Sequence, residues 1–147
     1  MRPDAAYFTT WSAGWLVVAL VLSRLDRHLL AAAAANSMVV GLLGPFVLAY
    51  GGVPGAPHAL SCSNAWMHAL PMFVAALAWP ERCEAWRVLA YVAAFDLAWL
   101  AASDRGDRGW AKAKRLYGVR NPTWLLGVVA LQCALCLRWR ASRREAW

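Results

Sequence analysis

LLAAAAANSMVVGLLGPFVLAY, residues 29 to 50, runs without a single charged side chain. An α-helix rises about 1.5 Å per residue, so roughly 20 residues cross a hydrocarbon core about 30 Å thick. This stretch is long enough to do so, and it decides how the rest of the chain is read. The 147 residues are 61% hydrophobic and 16% charged, well under the roughly 25% charge of a soluble domain. The apolar residues stand in blocks with short polar stretches between them, which is the pattern of membrane spans.

Five spans are expected, at about 7–23, 29–50, 60–79, 88–102 and 123–137. The predicted fold is all-α, an integral membrane bundle of about five transmembrane helices in one multipass domain. The last three are short, so they must borrow flanking interfacial residues or thin the bilayer. Trp79, Trp86, Trp99, Trp110, Trp124 and Trp139 fall near the expected ends, where indole rings favour the headgroup region. A signal peptide is the alternative reading of the first span. Against it, Arg24, Asp26, Arg27 and His28 lie between the apolar core and any cleavage site.

The net charge of +7 comes mostly from a basic loop at 103–122 and a basic tail at 138–147. On a membrane protein such residues meet anionic headgroups, each contributing roughly 1 kcal/mol near the surface. The expected partners are membrane lipids rather than nucleic acid. Within the loop, Trp110, Ala113, Leu116 and Tyr117 recur at helical spacing among Lys112, Lys114 and Arg115, the pattern of a segment lying flat on the interface. Cys62, Cys83, Cys133 and Cys136 form no zinc-type ligand set, and no metal or cofactor is expected. Basic residues in the early loops place the N-terminus outside, whereas those of the late loop and tail argue the reverse.

Ionisable groups inside spans cost roughly 2.5 to 3.5 kcal/mol on insertion scales and suggest function. Two occur here, His68 and Asp96. In any five-span antiparallel thread the starts of the first and third helices share a side with the end of the fourth, which puts Thr10, His68 and Asp96 at similar depth. An aspartate facing an imidazole would fix its tautomer, and a histidine near a threonine hydroxyl can take its proton. The plainer readings are a structural pair, and a threonine bonded to its own i−4 carbonyl. Asn36 and Ser37 interrupt the second span, Ser37 and Gly41 make a small-xxx-small pair, and Gly44-Pro45 and Pro71 are expected to kink their helices. Asn64 reads as a cap and Gln132 as an interhelical hydrogen bond.

Phe8, Thr9, Thr10 and Trp11, followed later by Asn64, Ala65, Trp66, Met67, His68 and Ala69, resemble two phrases of the androgen-induced-gene family of multipass membrane proteins. That family hydrolyses fatty acid esters of hydroxy fatty acids with an intramembrane threonine and histidine. Ala65 and Ala69 depart from its second phrase, and the chain begins at what would be the second of six family helices. The resemblance implies a lipid ester substrate, with Thr10 as nucleophile and His68 as its base. Asp96 is added from the span geometry as the group orienting His68, with Asn36 or Asn64 as candidate oxyanion donors. The alternatives are a non-catalytic membrane assembly or lipid-binding protein and, ranked last because only one end of the bundle looks polar, a proton or solute transporter.

Overall fold

The structure, a computed structural model, describes residues 8–50, 62–80, 83–102, 111 and 128–135, with the side chains of 45–50 and 62–65 outside the description. The expected loop at 103–122, apart from Ala111, the tail at 138–147 and most of the last span lie outside the described residues. The described residues are helical, with no strand: α1 (Phe8–Leu22), α2 (Arg27–Tyr50), α3 (Cys62–Leu77), α4 (Ala85–Ala101) and α5, seen over 128–135. Each helix falls on one of the apolar runs. α3 already begins at Cys62, so Asn64 is its third residue and not a cap. The helical assignment continues through Pro45 and Pro71.

α2 is the axis of the bundle and packs against α1, α3 and α4. Every residue from Leu30 to Ser37 is buried, which is possible because alanine lets neighbours approach on all sides. Ala33 and Ala34, with Leu30, pack against Leu16, Ala19 and Ala75 of α1 and α3. Ala31, Ala32 and Ala35 meet Val88 and Val92 of α4. On a third side glycine replaces alanine. A Cβ on Gly41 would stand 2.7 Å from Met72 Cβ and 3.1 Å from the His68 carbonyl oxygen, so α2 and α3 touch almost backbone to backbone. This is the close approach that a Ser37/Gly41 spacing permits.

Aromatic rings join α1 to α4. Trp15 stacks on Phe95 with centroids 4.3 Å apart, and Phe8 meets Phe95 and Trp99 edge-on at 5.5 and 5.1 Å. The first residue of α1 thus lies beside the last turn of α4, the antiparallel alignment that the threading argument requires.

Among the described residues, every charged side chain but Asp96 lies at the opposite end of the bundle. Asp26 opens α2 as its N-cap, with Oδ1 accepting the backbone N–H groups of His28 (2.8 Å) and Leu29 (3.3 Å). Its Oδ2 accepts the Tyr91 hydroxyl at 2.5 Å, tying the α1–α2 turn to α4. The Tyr91 bond, followed by those backbone groups, holds the Asp26 carboxyl below the usual carboxylate range, against the opposing effect of burial. Cys83 Sγ reaches the Arg27 carbonyl at 3.5 Å, so both turns meet here. Arg87 bonds Glu84 at 3.0 Å and lies over the Trp86 ring at 5.3 Å.

Among the described residues one stretch, Arg27–Gly44 in α2, is long and apolar enough to cross a membrane, a test that a core helix of a soluble protein also passes; Phe8–Leu22 and Trp66–Leu77 are shorter apolar helices.

Candidate functional site: a polar chain through the helix core

Four helices contribute to one buried string of polar groups. Ser12 Oγ donates to the Phe8 carbonyl at 2.8 Å, Asn36 Nδ2 donates to Ser12 Oγ at 2.8 Å, and Gln132 Nε2 donates to Asn36 Oδ1 at 2.8 Å. The Gln132 amide lies against the Asp96 carboxyl of α4. Ser12, Asn36 and Gln132 are at most 2% exposed.

The direction of this chain follows from elementary bonding. The Phe8 carbonyl can only accept, so the single Ser12 hydroxyl hydrogen points to it and Ser12 Oγ must accept from Asn36. That fixes which end of the Asn36 amide is nitrogen, hence that Asn36 Oδ1 accepts, and hence that Gln132 presents Nε2. Amide orientations that density alone rarely settles are thus set by one backbone carbonyl. The chain ends in acceptors, because Asp96 Oδ1 and Gln132 Oε1 are buried and without a hydrogen-bond partner.

The expected grouping of Thr10, His68 and Asp96 is divided among these contacts. Thr10 is half-buried in the first turn of α1, and its hydroxyl is enclosed without a hydrogen bond. His68, 6% exposed, faces the other way across the α2–α3 seam, its ring against Gly44. Asp96 pairs with Gln132. The described contacts therefore include neither a Thr10–His68 nor an Asp96–His68 hydrogen bond, because α2 holds His68 in its glycine seam while α5 meets Asp96. Asn36, considered as an oxyanion donor, spends one Nδ2 hydrogen and its Oδ1 on helix pairing. The interhelical bond expected of Gln132 is present, and the i−4 back-bond considered for Thr10 is made instead by Ser12.

Ser12 is the member that residue type alone did not single out. Its signal lay in spacing: Ser12, Leu16 and Ala19 form the buried stripe of α1, whereas Val17 and Val21 are 61% and 76% exposed. Among the described residues no group of three or more His, Cys, Asp or Glu side chains is placed to hold a metal.

No protein-family model, curated protein or solved structure matches the chain.

Proposed function

We propose that the chain is a multipass integral membrane protein that works without catalysis, as an assembly or lipid-binding factor seated at one end on anionic headgroups. The observation that supports this best is an inversion of polarity. Ser12, Asn36, Ser37, His68 and Gln132 are inside, while Val21, Leu42, Phe73, Leu77, Trp86, Leu97 and Val129 face outward. In water, contiguous apolar surface of this kind marks an interaction site. In lipid it is the favoured one, and polar side chains then serve to join helices. Arg24, Arg27 and Arg87, with Trp79 and Trp86, form the basic and aromatic end that a headgroup layer would contact.

Two measurements test this. Alkaline carbonate washing of membranes is expected to leave the protein in the pellet, and release into the wash overturns the integral reading. Native mass spectrometry of the detergent-solubilised protein is expected to show retained anionic phospholipid, reduced by Arg24→Gln, Arg27→Gln and Arg87→Gln together. Equal retention in that variant removes the headgroup assignment.

The second reading, an intramembrane threonine hydrolase of lipid esters, is favoured by the enclosed Thr10 hydroxyl that bonds nothing and by the resemblance carried by Phe8–Trp11. In it His68 removes the Thr10 proton, the oxygen attacks an acyl carbonyl and water releases the acyl group. It requires His68 to leave the α2–α3 seam. A fluorophosphonate probe separates the two readings. Labelling lost in both Thr10→Ala and His68→Ala supports the hydrolase, labelling that survives in Thr10→Ala rejects the nucleophile, and no labelling favours the non-catalytic reading.

A further inference from the structure

We propose that Asp96 and Gln132 form a buried proton-binding site, a carboxylic acid paired with a carboxamide at the end of the core hydrogen-bond chain. The chain leaves two atoms unsatisfied, Asp96 Oδ1 and Gln132 Oε1, and both are acceptors. Enclosed acceptors of the same kind cannot satisfy each other, and leaving each of them bare is destabilising. One hydrogen satisfies both. The Gln132 amide lies against the Asp96 carboxyl, and one of its two Nε2 hydrogens is left over from the bond to Asn36. With a proton on Oδ1, the acid O–H donates to Gln132 Oε1 while Gln132 Nε2–H donates to Oδ2, so the two planar groups close a ring of two hydrogen bonds. The proton comes from water and returns to it, and no covalent bond other than O–H is made or broken.

A metal ion fits less well. Calcium takes about six to eight oxygens and magnesium a near-octahedral set, whereas this end of the chain offers two free ones. Nor, among the described residues, does a cation from the protein stand in. The described Lys and Arg residues are Arg24, Arg27 and Arg87, all at the opposite end of the bundle. On α4 itself Tyr91 and Arg87 lie about 7.5 and 13.5 Å back along the helix, and Tyr91 is bonded to Asp26. α1 presents Phe8, Trp11 and Trp15 to the neighbouring Phe95. Among the described side chains of the other helices, the remaining titratable groups are His28 at the start of α2, His68 against Gly44, and Cys133 beside Gln132.

Infrared spectroscopy of the full chain in lipid nanodiscs tests the site. At neutral pH the folded wild type is expected to show a carboxylic acid carbonyl band that shifts down in heavy water. The band should vanish in Asp96→Asn and move to higher wavenumber in Gln132→Leu, where the acid loses its partner. Asp96→Asn should unfold at the wild-type temperature, since an amide at this position supplies the same donor and acceptor. Should the variants not fold, carbon-13 labelling of aspartate in the wild type assigns the band. A folded wild type with only carboxylate bands at neutral pH overturns the proposal, as does an acid band that persists in Asp96→Asn.

Discussion

Gly44 of α2 and the His68 ring of α3 touch so closely that a β-carbon on Gly44 would overlap the imidazole. The pair explains why a buried histidine is tolerated at this depth: the glycine opens the slot that the ring fills. Gly41 repeats the contact nearly one turn earlier, against Met72 and the His68 carbonyl.

Gly41→Ala should therefore destabilise the bundle by about 1 to 3 kcal/mol, the usual cost of overpacking. Gly14→Ala is the control. Nothing lies within 4 Å of its β-carbon position, and alanine is the better helix former by up to ~1 kcal/mol. Thermal unfolding in detergent should lower the transition for the first variant and leave or raise it for the second; equal effects would mean that the seam is not tight.

Asn36→Ala removes two buried hydrogen bonds at once, stranding Ser12 Oγ without its donor and Gln132 Nε2 without its acceptor. Interhelical bonds in membranes average about 0.6 kcal/mol, and stranded partners add about 1 to 3 kcal/mol. Ser12→Ala should cost less, because it strands only the Asn36 amide. A double-mutant cycle between Ser12 and Asn36 should give a non-zero coupling, and additive losses would deny the bond.

Phe95 meets Phe8, Trp11 and Trp15. Phe95→Ala should cost about 3 to 5 kcal/mol, as large aromatic truncations in cores do. Phe95→Leu should recover part of this loss, since it restores volume but not the ring contacts, each worth about 0.5 to 1.5 kcal/mol. Unfolding in denaturing detergent ranks the three proteins, and an unchanged Phe95→Ala would show that α1 and α4 are held elsewhere.

Asp26 gives the fold an acid limit. The Tyr91 hydroxyl, more than any other group, holds its carboxyl below the usual carboxylate range in the folded state. A depressed folded value means that the stabilisation is present above the unfolded value and is lost as pH falls through the folded one. Tyr91→Phe should lower the unfolding temperature at neutral pH, and its deficit against wild type should close as the medium is acidified below about pH 3.8. A deficit that stays constant with pH would separate the effect from Asp26 ionisation.

The apolar blocks determined the helices, because a long run without charge has one low-energy backbone solution in a core or a bilayer, and α1 to α4 lie on those runs. The alanine and glycine content of residues 29–50 likewise marked α2 as a helix that others approach closely. What composition and spacing could not decide was the facing of each polar side chain. Thr10, His68 and Asp96 share a depth in any antiparallel thread, but depth is set by position along a helix, whereas bonding depends on rotation about its axis and on which neighbour occupies that side. Ser12 and not Thr10 lies on the inward stripe of α1, the glycine seam draws His68 toward α2, and α5 brings Gln132 to Asp96. Those choices are made between segments far apart in the chain, so only the packed bundle decides them.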